Sequence, residues 1–161
     1  MNKTRAQLAA WSQLVVILLA GCDADPKSES MEQIDLDTYR WRNRLLIVFA
    51  DSRQDNEFRQ QAEMWSGQER GVEGRDMVLM HLLLEEAGEI GSSQISPEAA
   101  AGLRRRTDVP AEGFCVLLIG KDGGVKLRSS KPVSPDEVFA LIDAMPMRQA
   151  ELKRKRQSDG P

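Results

Sequence analysis

Three runs of apolar residues limit what this chain can fold into: Leu45–Ala50, Met77–Leu84 and Phe114–Ile119. None alternates polar with apolar side chains, so none fits a sheet with one wet face. Each is far too short to span a membrane. The first breaks at Asp51-Ser52 and the third at the glycines from Gly120 to Gly124. Strands buried on both faces account for all three. Such strands need a covering layer on each side, so the intervening segments must supply helices.

Those segments carry helix signals. Between Asp55 and Gly67, the residues Phe58, Ala62 and Trp65 fall at i, i+4 and i+7, a single apolar stripe. Ser96-Pro97-Glu98 sets a hydroxyl N-cap before a proline and opens a helix to about Arg106. Ser134-Pro135-Asp136-Glu137 is a capping box, and Val138, Leu141, Ile142 and Met145 give the buried face behind it. Pro146 is expected to stop that helix. Lys121-Asp122-Gly123-Gly124 is a hairpin turn into a fourth strand, Val125–Arg128. Glu85–Ile95 reads as a polar loop. The expected order is β-α-β-α-β-β-α, an α/β fold of the thioredoxin-like kind. It predicts a mixed four-stranded sheet with helices on both faces. Its two βαβ crossovers imply parallel pairs, and its hairpin an antiparallel edge.

The segment ahead of this domain reads as an export signal. Lys3 and Arg5 form a basic start, Leu14–Ala20 an apolar core, and Leu19-Ala20-Gly21-Cys22 resembles the bacterial lipobox. Residues 1–21 are thus expected to be a signal peptide, with Cys22 lipidated and the membrane a partner through that lipid. Asp23 resembles an inner-membrane retention signal, which favours the periplasmic face. Residues 22–35 are a polar, acidic tether, 36–148 the folded domain, and 149–161 a charged tail. The formal net charge of -3 becomes -5 once Lys3 and Arg5 are removed, and such an acidic domain gives no reason to expect nucleic acid. The run Lys153-Arg154-Lys155-Arg156 is either a solvated chain end or a contact for anionic lipid headgroups.

Four phrases carry a family resemblance. They are Tyr39-Arg-Trp-Arg-Asn-Arg-Leu-Leu-Ile-Val-Phe-Ala50, Arg75-Asp-Met-Val78, Gly120-Lys-Asp-Gly-Gly-Val-Lys-Leu-Arg128 and Phe139-Ala-Leu-Ile-Asp-Ala-Met-Pro146. The chain from about Leu36 to Arg148 resembles the bacterial domain of unknown function 4174 family. Related domains in vertebrate matrix proteins are considered thioredoxin- or peroxiredoxin-like. The resemblance implies that fold and no settled activity.

In thioredoxins the redox cysteines follow the first core strand at the start of a helix, where the helix terminus lowers a thiol pKa. Here that stretch is Asp51-Ser52-Arg53-Gln54-Asp55-Asn56 and holds no cysteine. Pro110 stands four residues before Phe114, away from the position of the thioredoxin cis-proline. Cys115 lies in the third apolar run and reads as core; a redox role for it is the lesser alternative. His81, the only histidine, has no cysteine or histidine at ligand spacing, so no metal is expected. Ser52 lacks a triad signature. Arg53 would sit near a helix N-terminus, which itself attracts anions. Asp51, Ser52, Arg53 and Gln54 are therefore the candidate binding loop, for a small anionic ligand or an envelope protein. The sequence predicts an anchored envelope lipoprotein with a non-catalytic thioredoxin-like domain and no cofactor. The alternative is a redox enzyme, peroxiredoxin-like or a reductase, that works without the usual cysteine pair.

Overall fold

The computed structural model describes residues 33–158. The proposed signal peptide, Cys22, Asp23 and most of the tether lie outside the described residues. A short 3-10 turn, Leu36–Tyr39, leads into β1 (Arg44–Ala50). There follow α1 (Asn56–Trp65), the short α2 (Glu69–Glu73) and β2 (Met77–Leu83). Next come β3 (Gly88–Ile90), β4 (Ser93–Ile95), α3 (Pro97–Arg106) and β5 (Cys115–Ile119). β6 (Val125–Ser129), α4 (Pro135–Asp143) and α5 (Pro146–Ser158) complete the chain.

One six-stranded sheet runs β4-β3-β2-β1-β5-β6. β1 is central, and each of its seven residues is at most 2% exposed. Its side chains divide between two layers. Leu45, Ile47 and Phe49 join Ala99, Ala100 and Leu103 of α3 in one core. Leu46 packs with Trp65 of α1 and with Val138 and Ile142 of α4 on the other face, where Val48 and Ala50 meet Phe58 of α1. Helices on both faces explain why the central strands do not alternate. Both predicted serine caps form: Ser96 accepts from the Ala99 amide and Ser134 from the Glu137 amide.

The fold class is the expected one, with three differences in detail. The sheet has six strands rather than four, because Glu85–Ile95 is not a loop throughout but carries the β3–β4 hairpin. Only β1 and β2 pair in parallel; β5 runs antiparallel to β1, with Ile47 opposite Leu117. An apolar run fixes burial but not direction, and α3 returns the chain from the sheet edge rather than making a second parallel crossover. Pro146 does not end the helical region. It is the first residue of α5, a place proline favours because its missing N–H would be unpaired there anyway.

α5 is pinned by charge. Arg44 at the start of β1 is 1% exposed. Its Nη2 reaches both Glu151 oxygens at 3.2 Å, and its Nη1 donates to the Arg75 carbonyl at 2.9 Å. Lys121 adds a 2.8 Å ion pair to Glu151, and Arg148 another at 3.4 Å. Removing one partner of a buried pair strands the other charge. Burial would raise the Glu151 carboxyl, but the Lys121 hydrogen bond and the charges of Arg44 and Lys121 outweigh it and hold the group below its ordinary value. A depressed folded pKa gives stability that is complete above the unfolded value of about 4.3 and is lost as pH falls through the folded one. Glu151→Ala is expected to destabilise the domain by about 3 kcal/mol in urea unfolding. Glu151→Gln should flatten the loss of stability below about pH 4.3. An acid limb as steep as the parent's would show that Glu151 does not do this.

Candidate functional site

The C-terminal end of β1 is where this architecture can present chemistry, because the chain leaves the buried sheet there and turns into α1. The turn is built from its own carboxylates. Asp55, the residue before α1, folds back, and its Oδ2 accepts from the amides of Asp51 (3.0 Å) and Ser52 (3.1 Å). Its Oδ1 accepts from the Ser52 hydroxyl at 3.1 Å. The Gln54 amide donates to that hydroxyl at 3.2 Å, and the Arg53 amide to Glu86 Oε1 at 2.8 Å. The Asp55 amide donates to the Ser52 carbonyl at 3.4 Å. Every amide from Asp51 to Asp55 therefore has an acceptor within the chain. Burial would raise the Asp55 carboxyl; the two amides, the Ser52 hydroxyl and the charge of Arg104 prevail and hold it below its usual value.

Asp51 faces the loop after α3. Its carboxylate accepts from the Gly113 amide at 2.8 and 3.0 Å and lies 3.6 Å from Arg104. Arg104 is 1% exposed. It donates to the carbonyls of Pro110 and Gly113 at 2.7 Å each and lies 5.3 Å from the centre of the Phe49 ring. Its Nε is buried without a partner. Burial draws the guanidinium down from its usual pKa, and Asp51 is the largest opposing charge. Pro110 thus serves this loop through its carbonyl, with Arg104 as the clamp.

The structure brings Asp51, Ser52, Arg53 and Gln54 together with residues that sequence reasoning missed. Arg53 is 38% exposed at its side chain and is already paired: its Nε lies 3.4 Å from Glu86, its Nη2 3.7 Å from Glu89, and Nη2 donates to the Ala87 carbonyl at 3.2 Å. Glu89 also bonds His81 Nδ1 at 2.8 Å, and the His81 ring meets Phe58 edge-on at 5.3 Å. His81 is a satisfied strand histidine. Glu86 and Glu89 come from the segment read as a polar loop, where the cross-strand pairing of His81 with Glu89 has no sequence signal. The expectation of an open cationic anchor at Arg53 thus meets two carboxylates already in place.

Cys115 is not at this turn. It lies on β5 with its side chain in the α3 core, on the opposite face of the sheet from α1. It is 5% exposed, and its thiol reaches no acceptor closer than the neighbouring Val116 carbonyl at 3.8 Å. Burial pushes the thiol pKa up, against the pull of Arg128 and Arg104. Among the described residues, no three His, Cys, Asp or Glu side chains are grouped to hold a metal ion.

Residues 35–151 match the family described as Domain of unknown function (DUF4174). The chain belongs to the DUF4174 family. This DUF4174 domain is 28% identical over 125 residues to human sushi repeat-containing protein SRPX2, covering 76% of this chain and 27% of that protein. It is 30% identical to human SRPX over 120 residues, 73% of this chain and 26% of the relative. Zebrafish coiled-coil domain-containing protein 80 is 28% identical over 147 residues, 81% of this chain and 17% of that protein. The chain thus spans about a quarter or less of the length of these relatives. Among solved structures, Plasmodium yoelii thioredoxin peroxidase I superposes with a TM-score of 0.54 at 15% identity, covering 73% of this chain and 80% of that one. That likeness is one of fold, in keeping with the thioredoxin-like arrangement of β1, α1 and β2. Ellman titration of the folded DUF4174 chain is expected to leave Cys115 unlabelled until denaturant is added. Fast stoichiometric labelling of the native protein would contradict its burial.

Proposed function

We propose that this chain is a lipid-anchored protein of the bacterial envelope, held on the periplasmic face of the inner membrane, whose thioredoxin-like domain binds a partner without thiol chemistry. The observation that supports the binding reading is the turn ahead of α1, whose amides are already taken. A reactive thiolate needs free amides or an unpaired cation beside it. Here Asp55 takes the turn amides of Asp51 and Ser52, Glu86 takes that of Arg53, Glu86 and Glu89 take the Arg53 side chain, and Cys115 lies beneath α3. The same end carries Asp51, Asp55, Glu85, Glu86, Glu89 and Glu112 against Arg53 and Arg104. Its field attracts cationic groups, so a partner presenting lysine or arginine suits it better than a small free anion. Support for the anchor comes from Leu19-Ala20-Gly21-Cys22 directly after an apolar run.

The test is insulin reduction and peroxide consumption by the purified chain, with Cys115→Ser as control. Both activities are expected to match the protein-free rate in the parent and in the variant. Turnover that disappears in Cys115→Ser would establish a redox enzyme instead. A photoreactive side chain placed at the exposed Gln54 is expected to trap a discrete adduct in envelope membranes. Its failure to do so would remove the binding loop.

A further inference from the structure

Three large apolar side chains are exposed among the described residues: Trp41 at 63%, Val125 at 48% and Met147 at 37%. They come from distant parts of the sequence and gather around one feature, the β5–β6 turn. The Trp41 amide donates to the Lys121 carbonyl at 2.6 Å, and Arg40 Nε to the Asp122 carbonyl at 3.2 Å. Val125 is the first residue of β6. Met147 shares a cleft of about 510 Å³ with Lys121 and Lys126, alongside Leu141 and Met145. Scattered surface apolar residues call for no explanation, but their concentration at one end does.

Trp41 is also held in a costly backbone conformation, with φ at 63°. Asp76 and Asp108 share that region, which aspartate tolerates and a bulky residue rarely enters. Bonds from the amides of Arg42 and Asn43 to the Tyr39 carbonyl fix the bend and keep the indole in solvent. A fold that needed only the bend would be better served by glycine. At this end Asp37, Asp76, Asp122 and Glu151 pair with Arg40, Lys121, Lys126 and Arg44, and further basic side chains are left over. Arg42 makes no ion pair among the described residues, and neither do Lys153, Arg154, Lys155 and Arg156. Glu151 ties the middle of α5 to Arg44 and Lys121 here, and those four cations begin two residues further along the same helix. The proposed tether leads to Leu36, Asp37, Tyr39 and Arg40, which line a second cleft beside the same turn.

We infer that this end of the domain docks on an anionic bilayer surface, with Trp41 at headgroup depth and Arg42 and the α5 cations against the phosphates. The inference rests on the anchoring proposed above. Indoles favour the membrane–water boundary, and basic clusters are drawn to anionic leaflets. An acyl anchor and a basic patch reinforce one another. The acidic end of β1, with Asp51 to Gln54, then points away from the membrane toward a soluble partner.

Amide hydrogen exchange of the full chain in nanodiscs tests this. Residues 40–43 and 121–126 are expected to exchange about fivefold more slowly in phosphatidylglycerol discs than in phosphatidylcholine discs, the effect of roughly one basic residue at an anionic surface. Arg42→Glu should remove that difference. Trp41→Gly should remove it while the melting temperature holds or rises, because glycine relieves the strained φ. Equal exchange in the two discs, with the N-terminal peptide's mass showing lipid on Cys22, overturns the docking face. Slowing in detergent that grows with protein concentration also overturns it, by assigning the face to a second copy. A peptide mass without lipid refutes the anchor alone. The comparison is then repeated with the full chain added to vesicles of each lipid, where equal exchange again defeats the docking face.

Discussion

β1 has no solvent-facing side, and the rest of the structure follows from that. Seven consecutive residues at 2% exposure or less require a strand on each edge and a helix layer on each face. Polar chemistry is therefore confined to the two ends of the strand, and each end is closed by a buried arginine. Arg44 closes one through Glu151, and Arg104 closes the other beside Asp51. Each leaves its Nε unpaired. Burying a guanidinium is costly unless carboxylates and carbonyls compensate it. These two arginines tie the sheet to the segments that apolar packing alone leaves loose: α5 at one end and the loop after α3 at the other.

The two ends differ in character. The end beyond Ala50 gathers carboxylates, and Asp55 takes the amides of Asp51 and Ser52 in the turn that leads into α1. The end before Arg44 pairs Asp76, Asp122 and Glu151 with basic side chains, leaves Arg42 without an ion pair among the described residues and exposes Trp41, Val125 and Met147. A seven-residue strand separates them by roughly 23 Å. That distance lets one end face a surface while the other stays open to a partner, with the same rigid strand joining both.

Much of this was legible in the sequence, and the gaps have physical causes. The non-alternating runs gave the buried strands, Ser96 and Ser134 gave two helix starts, and Asp122-Gly123 gave the β5–β6 turn. β3 and β4 escaped because each has three residues, too few for a period, with inward side chains reduced to Ile90 and Ile95. The antiparallel course of β5 escaped because burial does not encode direction. α5 escaped because it docks through Glu151 to Arg44 and Lys121 and through Arg148 to Asp143 rather than through an apolar stripe, so its pattern looks like a solvated tail. At the site, the missing cysteine was plain from Asp51 to Asn56. The pairing of Arg53 with Glu86 and Glu89 was not, since it depends on a hairpin that was itself invisible.

The central claim is that the turn leading into α1 is closed by this chain's own carboxylates and does not stabilise an anion. It is tested most directly by the pKa of the thiol introduced by Ser52→Cys in a Cys115→Ser background, read from the pH dependence of alkylation. The Asp55 carboxylate beside it opposes a thiolate, and of the turn amides only that of Gln54 points at this position, so the thiol should titrate at or above the ordinary cysteine value of about 8.5. A value below about 7, as at an open helix N-terminus, would contradict the account.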